Sequence, residues 1–292
     1  MNHNQALTIQ SRRAFLQRSL TIGAGLSLTS TVMPALAQNQ FLTSMALGDF
    51  KLFYEDHGSG PPVFFAHGAA GTHASWWQQV PVISQYYRCI TYDQRGHGYS
   101  RDIDMGPYRT AFVEDLRALM DHLGIAKASL VAQSMGGRSC LGFASKYPDR
   151  VDALIMGDTT GGYVDAEITR LRARNTMARA AFAPEFAQNH PELAFMYREI
   201  SSMTFPGPRN ETARTPVPDL QPIISAEIPV LFIVGEKDAL VRPEVIEAMH
   251  KKMPGSEFVV VPGSGHSVYF EKAEIFNQLV LDFLNKNVDL TF

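Results

Sequence analysis

The sequence predicts an α/β protein, a mostly parallel sheet of about eight strands with helices on both faces. Short continuous apolar runs such as "VFFAHG", "ASLVAQ" and "LFIVGEKD" read as strands buried on both sides. Amphipathic stretches alternate with them, which is the order of parallel strands joined by crossover helices. The residues directly after the runs are chemically capable ones: His67, Asp93, Ser134, Asp158, Asp238 and His266. In such sheets active groups collect at the carboxyl ends of the strands.

Taken in order, "FKLFYEDHGSGPP" alternates and then turns, "VFFAHG" is a strand closed by glycine, and "YRCITYD" is a strand that runs into the loop "QRGHGYS". In "TAFVEDLRALMDHLG" the residues Phe112, Leu116, Leu119 and Leu123 share one helical face, and Gly124 ends the helix. "ASLVAQ" is a strand and "GGRSCLGFASKYP" a helix that stops before Pro148, so Ser134 sits at a strand-to-helix joint. "VDALIMGDTT" and "PVLFIVGEKD" are further strands, followed by the helix "RPEVIEAMHKKMPG", the strand "EFVVVPGSGH" and a last helix from about Glu271. Residues 160–227 break this rhythm. A structureless loop of that length is not expected in a compact domain, and "DAEITRLRARNTMARAAF" and "PELAFMYREISSMTF" supply helices for a small lid insertion.

The first forty residues differ from the rest. Arg12, Arg13 and Arg18 precede a moderately apolar stretch without acids, which closes on Ala35-Leu36-Ala37. This is the plan of an export signal, and the paired arginines followed by Ala14, Phe15 and Leu16 resemble the twin-arginine type. The expectation is cleavage after Ala37, a folded domain over 45–292, transient contact with the twin-arginine machinery and a periplasmic or secreted bacterial protein. The stretch Ser19–Ala37 is interrupted by Gly, Ser, Thr and Pro, which argues against a membrane span in the mature form.

With 45% hydrophobic and 19% charged residues, the 292-residue chain has an ordinary globular balance, sufficient for one catalytic domain. A formal charge of −3 and the lack of a basic stripe exclude nucleic acid as the expected partner. Cys89 falls in a strand and Cys140 in the helix after Ser134, so both read as small core residues. No Cys/His cluster has metal-ligand spacing, and no metal or organic cofactor is expected.

Ser134 has the small residues Ala132 and Gly136 two positions either side, as a sharp turn between a packed strand and helix requires. The elbow pattern G-x-S-x-G is met except that alanine takes the first place. Ser134, Asp238 and His266 then occur in the chain order of a Ser-Asp-His triad. Together, "HGAAG", "DQRGHGYS", "AQSMGG", "GEKDALV" and "GSGHSVYFEK" resemble, in sequence and spacing, the landmarks of the α/β-hydrolase superfamily from about Phe50 to the end.

That resemblance implies Ser134 as nucleophile, His266 as its base and Asp238, in the G-x-x-D pattern from Gly235, as the acid that orients the imidazole. Asp158, at the end of the preceding strand, is the alternative acid. The backbone N–H groups of Ala69 and Met135 are implied as the oxyanion hole. Trp76, Trp77, Phe182 and Met203 are candidates for an apolar substrate pocket. His67, His97 and Asp93 are expected to hold loops.

The implied reaction is cleavage of a small carboxylic ester or lactone through an acyl-enzyme. The "SMGG" run and short lid are similar to enol-lactonases, cofactor-free haloperoxidases acting as perhydrolases, and carbon-carbon hydrolases. These remain open alternatives, as does a non-catalytic binding protein on the same scaffold. Haloalkane dehalogenases and epoxide hydrolases place aspartate where this chain has Ser134.

Overall fold

The computed structural model describes residues 42–175, 180–204, 210 and 214–289. The segment read as an export signal, 1–37, lies outside them. The described residues form one eight-stranded sheet: β1 (Thr43–Leu47), β2 (Phe50–His57), β3 (Pro62–Ala66), β4 (Arg88–Tyr92), β5 (Ala128–Gln133), β6 (Val151–Gly157), β7 (Val230–Gly235) and β8 (Glu257–Val261). The strand order is β1-β2-β4-β3-β5-β6-β7-β8. β1 pairs with β2, and β2 with β4, antiparallel; the other pairs are parallel. The class expected from the sequence is thus the one formed. β1 was not read from the sequence, and it starts two residues before the expected domain boundary at 45.

The helices are α1 (Val80–Ile83), α2 (Phe112–His122), α3 (Gly137–Lys146), α4 (Ala166–Ala173), α5 (Phe186–Asn189), α6 (Pro191–Ser202), α7 (Gln221–Ser225), α8 (Pro243–His250), α9 (Val268–Glu271) and α10 (Ala273–Asn287). Successive strand residues face opposite sides. Phe64, Leu130, Leu154 and Phe232 join a core with Leu116 and Leu119 of α2, Leu141 and Phe143 of α3 and Met249 of α8. Phe65, Val131, Ile155 and Ile233 point the other way, into a core with Trp76 and with Phe276, Val280 and Leu284 of α10. Cys89 and Cys140 belong to these two different cores as free, buried thiols. Burial, with a minor contribution from the charge of Asp56, pushes the Cys89 thiol up to about 12, so it is an inert packing group.

The helical insertion between β6 and β7 includes α4 and α6, one in each of the two stretches expected to form helices, and α5, which lies between those stretches. Asp165 starts α4 by accepting from the Ile168 amide at 2.8 Å. α6 is tied to the loop after β3, where Ser201 Oγ donates to the Ala70 carbonyl at 3.0 Å.

Candidate active site

β5 delivers Ser134 at its carboxyl end, and the serine backbone enters the left-handed region with φ 48°. A β-carbon pays steric strain there, so the surroundings must impose the conformation. They do so through close packing: Ala132 is fully buried between Ala66 of β3 and Met156 of β6. A β-carbon on Gly136 would lie 2.0 Å from the Ala66 carbonyl oxygen. Only a glycine lets the chain turn from β5 into α3 against β3. The methyl of Ala132, the departure from the usual pattern, is accommodated in the sheet.

His266 arrives from the loop after β8. Its approach depends on Gly235 at the end of β7, where a β-carbon would meet the Gly265 and Ser264 carbonyl oxygens at 2.0 and 2.5 Å. The Lys237 amide donates to the Ser264 carbonyl at 2.8 Å, which pins the loop to the strand end. The ring then lies between the two other residues: Nε2 is 2.8 Å from Ser134 Oγ, and Nδ1 is 2.8 Å from Asp238 Oδ2. Asp238 is buried, and its other oxygen accepts the Leu240 and Val241 amides at 2.7 and 2.8 Å. Those two donors fix the carboxylate, leaving Oδ2 for the imidazole.

Asp158, the alternative acid, is directed elsewhere. Its oxygens accept the amides of Gly235 at 3.1 Å and Val268 at 3.3 Å, so it braces β7 against α9. Burial first, and then the nearby charge of Asp238, push its carboxyl well above the ordinary carboxylate range. Asp93 accepts both the backbone amide and Nδ1 of His73, at 2.7 and 2.8 Å, together with the Tyr99 amide at 2.8 Å. His67 accepts the Gln94 amide on Nε2 at 3.0 Å and donates from Nδ1 to the Gly68 carbonyl at 2.7 Å. Both residues organise the turn that carries Ala69.

Ser134 and His266 open onto a cavity of about 500 Å³ lined also by Gly68, Ala69, Arg172, Tyr197 and Leu240. The four aromatic and methionine side chains expected in the pocket are not among its lining residues. Trp76 is fully buried, packed on Phe65 and Tyr269 in the core beneath the site. Trp77 borders a separate surface hollow with His57 and His73. Phe182 packs against Phe186, Tyr197 and Phe270, and Met203 is exposed just after α6. The helical insertion lays its aromatics on one another and on α9, so the cavity receives Tyr197 and Tyr269 instead.

Two positioning residues were missed from the sequence. Gln133, just before the serine, donates from Nε2 to the His266 carbonyl at 2.9 Å, while its Oε1 abuts Gly68, where an added β-carbon would lie at 1.9 Å. It links the histidine loop to the Ala69 turn, and an uncharged polar residue ending a buried apolar run was its visible signal. Glu271 is the second. Its carboxylate accepts the Gly265 amide at 2.9 Å, the Ser267 amide at 3.4 Å and the Ala183 amide of the lid at 2.9 Å. Burial raises its pKa against the opposing pull of these amides. One buried carboxylate therefore holds both sides of His266 and one edge of the lid.

The sheet order and the serine at its strained turn define an α/β hydrolase. The family model described as alpha/beta hydrolase fold matches residues 61–190, and one described as TAP-like protein matches 207–288. A thermophilic esterase from Thermogutta terrifontis, solved with malate bound, is 30% identical with a TM-score of 0.69, covering 85% of this chain and 98% of its own. The 2-(acetamidomethylene)succinate hydrolase of Mesorhizobium japonicum is 28% identical over 86% of this chain and 98% of its own length. The dihydrolipoyllysine-residue acetyltransferase component of the acetoin cleaving system of Pseudomonas putida is 30% identical over 78% of this chain, which spans 64% of that protein. The chain belongs to the α/β-hydrolase superfamily.

Proposed function

We propose that the protein is a serine hydrolase that cleaves a carboxylic ester or lactone through an acyl-enzyme on Ser134. The observation that carries this reading is the pair of 2.8 Å contacts that link Ser134 Oγ, His266 and Asp238 in series. With Nδ1–H donated to Asp238, Nε2 is left as the acceptor facing the serine hydroxyl. As Ser134 Oγ attacks the substrate carbonyl, its proton passes to His266 Nε2, and Asp238 stabilises the resulting imidazolium. The negative charge that develops on the carbonyl oxygen is received by the N–H groups of Ala69 and Met135. Collapse expels the alcohol with the proton from His266. Water then repeats the sequence on the acyl-enzyme and releases the acid.

The test is the intact mass of the protein after exposure to a fluorophosphonate, with p-nitrophenyl ester turnover followed in parallel. One covalent adduct and ester turnover, both abolished in Ser134→Ala, are the expected results. A folded wild-type protein that neither labels nor turns over any ester would overturn the reading and favour a binding protein. The reaction is placed outside the cytoplasm on the strength of residues 12–37 alone. Replacement of Arg12 and Arg13 by lysine should retain the uncleaved chain inside the cell, as fractionation and the N-terminal sequence of each fraction would reveal.

A further inference from the structure

The cavity at Ser134 has a charge pattern that the hydrolytic step does not use. Arg172, in the last turn of α4, lines it together with apolar or neutral groups: Ala181, Tyr197, Leu240, Val241 and Tyr269. No aspartate or glutamate is among the described residues that line it. The Arg172 guanidinium has five N–H donors, and one is committed, from Nη2 to Thr160 Oγ1 at 2.6 Å. That bond anchors the planar group at the cavity wall without neutralising it, and the side chain is accessible to solvent.

The surroundings add positive charge. Arg138, in the first turn of α3 just behind the serine, donates Nη1 to Thr215 Oγ1 at 2.6 Å, again a neutral partner. Burial, and then the neighbouring guanidinium groups of Arg109 and Arg172, press against its charged form. Among the described residues neither Arg138 nor Arg172 takes part in an ion pair. An arginine fixed by a hydroxyl, unopposed by a carboxylate among the described residues and open to a cavity of small-molecule size, is suited to a planar anion on the ligand.

We propose that the ester or lactone cleaved here carries a carboxylate, and that Arg172 binds it while Ser134 attacks the ester carbonyl. This inference rests on the serine-hydrolase reading for the reaction, while the anion site itself can be tested without turnover. The bound carboxylate is a spectator: no bond to it forms or breaks, and its role is to hold the scissile carbonyl at Ser134. The preference is electrostatic, so it weakens as ionic strength rises.

The experiment compares mono-4-nitrophenyl glutarate, which carries a carboxylate, with neutral 4-nitrophenyl butyrate on wild type, Arg172→Gln and Arg172→Lys. The ratio of kcat/KM, anionic over neutral, should fall roughly 10- to 100-fold in Arg172→Gln, chiefly through KM, and recover in part in Arg172→Lys. An unchanged ratio, or equal loss on both esters, overturns the anion site and assigns Arg172 a structural role.

Calorimetric titration of Ser134→Ala, with and without Arg172→Gln, using monomethyl glutarate and dimethyl glutarate, separates the two readings. Arg172-dependent preference for the monoester, when the wild-type protein hydrolyses neither nitrophenyl ester, retains the anion site and rejects the serine reading. Hydrolysis of both nitrophenyl esters with no preference for the monoester in binding does the reverse. Absence of both turnover and preference rejects both.

Discussion

Replacement of Asp238 by asparagine tests the proposed serine–histidine–aspartate triad at its most buried member. The amides of Leu240 and Val241 both donate to one carboxylate oxygen, so in Asp238→Asn the amide oxygen stays with them and the new NH2 group faces His266 Nδ1. The imidazole must then accept on Nδ1 and carry its proton on Nε2, the wrong tautomer to receive the Ser134 proton. The variant also loses the carboxylate charge 2.8 Å from the ring. At an effective dielectric constant of about 20, that attraction to an imidazolium is about 6 kcal/mol, or roughly four decades in rate. kcat/KM on a p-nitrophenyl ester should fall about 10⁴-fold, with an unchanged circular dichroism spectrum. Asp158→Asn, whose carboxylate faces backbone amides and not the imidazole, should cost far less. Activity within tenfold of wild type in Asp238→Asn, or the larger loss in Asp158→Asn, would refute this account of the acid.

Gly136→Ala should destabilise the fold as well as lower activity. The new methyl meets the Ala66 carbonyl at 2.0 Å, backbone that cannot swing away, and a loss of about 2 kcal/mol or more is expected from urea unfolding. Glu114 supplies a stability test with a definite pH window. Burial works against its charge, but hydrogen bonds from Lys146, Arg117 and Tyr147 outweigh this and hold its carboxyl down to about 2. Its contribution is therefore complete above the ordinary glutamate range near 4.5 and disappears as pH falls towards 2. Thermal melting of Glu114→Gln should lie below wild type at neutral pH and converge with it under acid conditions; a gap that widens in acid would reverse the sign of the argument.

What the sequence disclosed and what it withheld divide along a physical line. The meeting of Ser134, Asp238 and His266 was legible because Ser134 directly follows β5 while Asp238 and His266 lie in the short loops that leave β7 and β8, and parallel strands bring those ends to one edge whatever the details of packing. The turn chemistry was legible as well: Gly136 is small because the Ala66 backbone passes too close for a β-carbon, and Ala132 is fully buried within the sheet. The cavity walls were not legible. Whether Trp76, Phe182 or Tyr197 meets a substrate depends on how the lid seats itself, and an aromatic side chain reads alike in a core and in a pocket. Gln133 and Glu271 escaped notice because each acts through contacts between segments remote in the chain, and Arg172 because nothing in its local sequence sets it apart from the neighbouring arginines.

The strained turn at residue 134 has a consequence for the history such a scaffold can have. Its backbone is set by Gly136 against Ala66 and by the buried methyl of Ala132. None of these depends on the hydroxyl. Position 134 is therefore a socket: a different reactive side chain would be lifted to the same spot without the sheet being rebuilt. Where the reactive atom stands belongs to the neighbours, and only what that atom is belongs to the residue itself, so one codon can redirect the chemistry while the architecture stays untouched.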